Sequence, residues 1–155
     1  APTALRVCAD ENVAPVLSEL IREQLLSAKF SLETVDDHQA IGVDDQIWVR
    51  KFANDGGEAI IGADFAMTKK PHEVAAINET GLRLVILDGK WACQKNNVQI
   101  SYLFYWWPEI EKTLASAGAG KCFKVPWGWP ADTTGQIKVI PIDLQKAYKQ
   151  LKKLK

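Results

Sequence analysis

Asp10 and Glu11 follow an apolar run, Asp44 and Asp45 open a stretch with helical apolar spacing, and Asp64 closes a short run centred on Ile60 and Ile61. Carboxylates gathered at one edge of a fold repel one another unless a cation lies among them. Donors that are all oxygen select a hard divalent ion, Mg²⁺ or Mn²⁺, over zinc. Nothing argues for zinc, since His38 and His72 stand apart and Cys8, Cys93 and Cys122 have no finger spacing. Each acid has a plainer role open to it: Asp44 as a helix cap, Glu11 as a first-turn residue favoured by the helix dipole, Asp64 as turn punctuation. Their joint placement is what points to a metal site.

That placement depends on the elements between them. Ala4 to Ala9 reads as a buried strand, and Val13, Val16, Leu17, Leu20, Ile21 and Leu25 recur at helical spacing with Pro15 in the first turn. Phe30 to Val35 alternates as a second strand. A helix from Asp44 or Asp45 runs through Trp48 and Phe52 to the stop at Asn54-Asp55-Gly56-Gly57. Ala59 to Ile61 is a third strand, Pro71 to Gly81 a third helix, and Leu82 to Leu87 a fourth strand. Gln99 to Ala117 predicts a longer helix, kinked or restarted at Pro108. Strand–helix alternation predicts an α/β fold with a four-stranded, mainly parallel sheet between helical layers. In such a sheet ligands bind outside the carboxyl ends of the strands, the edge where Asp10, Asp45 and Asp64 fall.

The chain has 155 residues and is 47% hydrophobic, enough for one packed domain. We divide it into residues 1–120 and a C-terminal extension, 121–155, ending in a basic amphipathic helix. No apolar stretch reaches the roughly 20 residues of a membrane span, and an odd cysteine count fits a reducing compartment. The expectation is therefore cytoplasmic. Zero net charge hides asymmetry: residues 1–64 carry twelve acids and five bases, residues 65–155 seven acids and fourteen bases. An acidic site in one half and an anion-facing surface in the other would account for this, as would charges that mix on folding.

The span Asp45-Gln46-Ile47-Trp48 through Phe52, followed by Gly62-Ala63-Asp64, resembles the core of PIN-domain nucleases. That family has an Asp opening a helix, an aromatic residue three positions on, and later a strand ending in Thr/Ser-x-Asp. Val7-Cys8-Ala9-Asp10-Glu11-Asn12 is similar to the start of a compact PIN-like subgroup, as are Lys70-Pro71-His72-Glu73 and Trp106-Trp107-Pro108. The subgroup includes relatives of virulence-associated toxins, and the resemblance spans about residues 5–115. It implies a three-layer PIN-like sandwich and a Mg²⁺- or Mn²⁺-dependent ribonuclease, with Asp10, Asp45 and Asp64 catalytic and metal-binding. Asp44 and Glu11 are further candidate ligands. RNA and an antitoxin-like protein are the implied partners; no membrane is expected, and homodimerisation is left open. Lys69, Lys70, Lys149 and Lys153 are candidates for phosphate contacts. Trp106, Trp107, Trp127 and Trp129 could stack bases, though core packing is the commoner use of tryptophan.

Two departures stand out. Gly62 replaces the Thr/Ser, and the further acid usual between Asp10 and Asp45 has no clear counterpart among Glu19, Glu23, Glu33, Asp36 and Asp37. Both favour the alternative of a non-catalytic PIN-like module binding RNA or protein. A phosphoacceptor receiver domain shares the acid pattern, but its lysine at the end of a fifth strand is not evident; Lys90 comes just past strand four.

Overall fold

The computed structural model describes residues 4–63, 69–127 and 137–153. Asp64, Trp129 and Pro130 lie outside them. Among the described residues the strands are β1 (Leu5–Ala9), β2 (Phe30–Thr34), β3 (Ala59–Gly62), β4 (Arg83–Leu87), β5 (Cys122–Val125) and β6 (Lys138–Ile140). The helices are α1 (Pro15–Leu20), α2 (Asp45–Asn54), α3 (Pro71–Thr80), α4 (Asn96–Ser116) and α5 (Leu144–Lys153). The sheet order is β2-β1-β3-β4-β5-β6, parallel except for β6. The α/β expectation holds, with six strands instead of four. The two extra strands come from residues after 120. β5 carries only four residues and β6 three, too few for their alternation to register in a Pro-, Trp- and Gly-rich stretch.

The sheet is covered on both faces, so its central strands are continuously apolar rather than alternating. Side chains still sort by parity. Val7, Ala9, Ala59, Ile61, Val85 and Leu87 pack with α1 and α4. Cys8, Ile60, Leu84 and Ile86 pack with α2 and α3. By the same alternation Asp10 and Gly62 belong to the α2–α3 side.

Helix boundaries follow local chemistry. Pro15 and Pro71 occupy first-turn positions, and Gly81 (φ 73°) closes α3 in the left-handed conformation. α1 is shorter than its apolar spacing suggests, because the chain widens into a π-type turn over Ile21–Leu25. α4 runs unbroken through Pro108, which lies on its exposed side while Trp106 and Trp107 are buried. α5 packs on α3, burying Ala147, and Tyr148 Oη donates to Glu79 Oε1 at 3.1 Å.

Arg6, near the start of β1 and so towards the opposite end of the strand from Asp10, ties three elements together. It makes a two-pronged pair with Glu33 of β2, both distances 2.7 Å, and also donates to the Asp55 carbonyl after α2. The Arg6 bonds hold the Glu33 carboxyl below its usual range. Gly57 then brings the chain under Phe52: a Cβ there would overlap the phenyl ring. Phe52 is buried, so neither group can yield cheaply. We expect Gly57→Ala to cost about 2–3 kcal/mol, the upper range for overpacking. Urea denaturation checks this; an unchanged midpoint would mean that the turn relaxes freely.

Candidate active site

Strand order reverses between β1 and β3, because β1 pairs with both β2 and β3. The crevice at such a switch point is where open α/β sheets bind ligands. Asp10 stands at that point. Its N–H donates to the Ile61 carbonyl at 2.8 Å, continuing the β1–β3 ladder by one residue.

Asp10 is 3% exposed. Its Oδ1 accepts the Glu11 backbone N–H at 2.7 Å and its Oδ2 accepts Asn12 Nδ2 at 3.2 Å. Burial pushes its pKa up to about 6, with the negative charge of Asp45 the next cause, while the two hydrogen bonds pull the other way. The structure thus brings Asp10 and Asp45 within electrostatic reach.

Asp45 is held by its own helix. Trp48 lies one turn further on with its ring buried, and its Nε1 donates to Asp45 Oδ1 at 2.8 Å. This gives the Asp-x-x-aromatic spacing a physical meaning: a core side chain anchors a carboxylate at the helix start. Asp44 occupies the cap position, exposed, without a side-chain cap hydrogen bond. Glu11 is exposed, and its Oε2 accepts the Gly42 N–H at 3.2 Å, which fastens the loop ahead of α2 to the end of β1. Asp64 falls outside the described residues, one position beyond Ala63.

A cleft of about 240 Å³ opens beside Asp10 towards β2, lined also by Glu11, Glu19, Arg22, Asp36 and Asp37. Asp37 pairs with Arg22 at 2.6 Å, and Glu33 is committed to Arg6 and His38. Of the acids between Asp10 and Asp45, Glu19, Asp36 and Asp37 therefore share a cleft with Asp10. Asp88 is an acid that the sequence reading passes over, although it follows an apolar strand just as Asp10 does. It follows β4 and meets Lys124 of β5 at 3.6 Å. A fifth strand with a lysine thus exists, but the ammonium faces Asp88.

The cationic candidates are spread. Lys69 and Lys70 are exposed just before α3, and Lys70 lies 3.8 Å from Glu73. α5 follows Ile140, which pairs with Cys122 at the start of β5, the edge opposite Asp10. Lys149 is exposed on α5, as is Lys153. Trp106 and Trp107 are core residues, and Trp127 packs against Trp91 and Tyr102.

A divalent ion is tested by the donors at hand. Among the described residues no cluster of three or more His, Cys, Asp or Glu is arranged to hold a metal. Asp10 and Asp45 make a two-carboxylate set. Mg²⁺ commonly takes one or two carboxylates and completes its shell with water and substrate phosphate oxygens. The donor set therefore fits, with Asp64 the adjoining third acid in sequence. At Gly62 a Cβ would meet nothing within 4 Å among the described residues, and the hydroxyl expected there is missing.

No helix among the described residues is long and apolar enough to cross a membrane. No curated protein and no solved structure matches the chain. A family model described as a PIN like domain matches residues 5–89, from β1 through the end of β4.

Proposed function

This chain belongs to the PIN-like domain family, of nuclease type, and from that premise we propose that it is a Mg²⁺- or Mn²⁺-dependent endoribonuclease. The observation that carries the reading is Asp10: a buried carboxylate at the switch point, raised towards neutrality beside Asp45. Two carboxylates so placed are costly alone and favourable around a cation.

Asp10, Asp45 and Asp64 would hold the ion. When bound, it supplies Lewis-acid polarisation of a phosphodiester oxygen and a lowered pKa for an attacking water. The Glu11 amide and Asn12 fix the rotamer of Asp10, and Trp48 fixes Asp45, so both carboxylates meet substrate in one geometry. Lys69 and Lys70 are the favoured phosphate contacts, since α3 starts at the edge where β3 ends; Lys149 and Lys153 would extend the track only for a longer RNA. The likeness to virulence-associated toxins extends the reading to a toxin masked by an antitoxin-like partner.

Single-stranded RNA incubated with the protein and Mg²⁺ or Mn²⁺ tests this. Cleavage should vanish with chelator. Asp45→Asn should lower it by about 100-fold or more, the scale of lost metal-site groups, whereas Asp44→Asn should stay within a few-fold. Equal losses would undo the assignment of Asp45. RNA binding without cleavage at any divalent concentration would favour the non-catalytic module that Gly62 suggests.

A further inference from the structure

A second cleft, of about 260 Å³, lies on the other side of the β1–α1 connection. Asn12 joins it to the acids, since it lines this cleft and donates to Asp10 Oδ2. Ala63, the residue before Asp64, is part of its wall. We propose that this cleft is a nucleobase subsite, which reads a base next to the phosphodiester held at Asp10; the proposal rests on the nuclease reading above.

The lining decides the ligand class. Among the described residues no charged side chain borders the cleft: its polar groups are the carboxamides of Asn12, Gln94, Asn96 and Gln99. Among the described residues a phosphate would find no counter-charge there and a metal ion no anionic donor. A nucleobase suits it, with apolar faces and an edge of donors and acceptors. Val13, Leu17 and Leu87 supply apolar wall.

The polar groups are partly spoken for, and the remainder is informative. Gln99 is buried and its Nε2 donates to the Gln94 carbonyl at 2.9 Å. That bond fixes the carboxamide and leaves Oε1 to accept. Trp91 is 1% exposed, packed edge-on against Tyr102 and Trp127, and its Nε1 has no hydrogen-bond partner among the described residues. That nitrogen is itself closed to solvent, so the indole serves the cleft as apolar wall. Asn96 is exposed at the first position of α4, whose first turn carries no acid. Carboxamides discriminate bases because one amide presents a donor and an acceptor side by side.

Calorimetric titration of the full chain with AMP, GMP, CMP and UMP, and with inorganic phosphate, tests the subsite without any need for cleavage. One mononucleotide should bind at least about tenfold tighter than the others and than phosphate. Asn96→Ala and Gln94→Ala, each removing a carboxamide from the lining, should each cost up to about tenfold in that affinity, the effect of one or two hydrogen bonds, and should narrow the differences among bases. Homopolymeric RNAs in Mg²⁺ should show the same preference in cleavage rate, flattened in Asn96→Ala. Equal affinity for all four mononucleotides, or a preference untouched by both variants, would overturn the subsite even if cleavage persists. Absence of cation-dependent cleavage with base-selective binding intact would instead overturn the nuclease reading alone.

Discussion

Asp10→Asn should melt higher than the wild-type protein at neutral pH when divalent ions are absent. The carboxyl titrates near 3.8 when free and near 6 in the folded chain. Between those values the folded protein keeps a proton that the unfolded chain has lost. Stability therefore falls as pH rises from about 4 to about 6, and the full penalty is present at pH 7. A pKa difference of that size corresponds to roughly 3 kcal/mol. An asparagine returns part of this. Its amide can accept the Glu11 N–H on one side, but it opposes Asn12 Nδ2 on the other unless Asn12 rotates. A net gain on the order of 2 kcal/mol remains, several degrees for a domain of this size. Urea denaturation from pH 4 to 8 should show the wild-type decline and its absence in the variant. The same substitution should reduce cation-dependent RNA cleavage by about 100-fold or more. A variant both less stable and fully active would mean that Asp10 is an ordinary structural acid.

Mg²⁺ or Mn²⁺ should raise the melting temperature of the wild-type chain, because the ion relieves a repulsion that only the folded state has. At 100 times its dissociation constant a ligand contributes about 2.7 kcal/mol, or about 5–10 °C here. Asp64→Asn should remove most of the response. The test bears hardest on this acid, since the charge of Asp45 acts on Asp10 whereas Asp64 lies outside the described residues. Calcium separates a true site from general screening: a larger ion should fit a small carboxylate set less well and stabilise less. An equal thermal response in wild type and Asp64→Asn would remove Asp64 from the ligand set.

The parallel sheet was legible because its central strands are short apolar runs between helices with clear starts and stops. Pro15, Pro71 and Gly81 mark those boundaries in one dimension, and the structure uses them as marked. The stretch from Lys121 to Pro141 reads only as strands or loops, since neither the four residues of β5 nor the three of the edge strand β6 are long enough to show a period. The placement of Asp10 after β1 and of Asp45 at the start of α2 was readable from the apolar runs and the helix start between them. What the residues could not show is why Asp45 differs from its neighbour. That difference rests on an indole nitrogen one helical turn away, which spacing hints at but only coordinates reveal. The amide-lined cleft was invisible for a similar reason: Asn12 is far in the chain from Trp91 and Gln99, and only the fold sets the β1–α1 connection beside the β4–α4 connection.

The pairing of β1 with β3, Val7 beside Ala59 and Ala9 beside Ile61, also sets when the site comes into being during synthesis. β1 can lie beside β2 early, but Asp10 has neither Asp45 nor the Ile61 carbonyl until α2 and β3 have left the ribosome and closed a long loop. Non-local parallel pairings are slow steps, because chain entropy is lost before contacts reward it. A nascent chain ending before β3 therefore carries Asp10 and Asp45 but neither the Ile61 carbonyl nor Asp64. If the finished protein cuts RNA, the ribosome that makes it is shielded from that activity until the crossover completes, by topology alone.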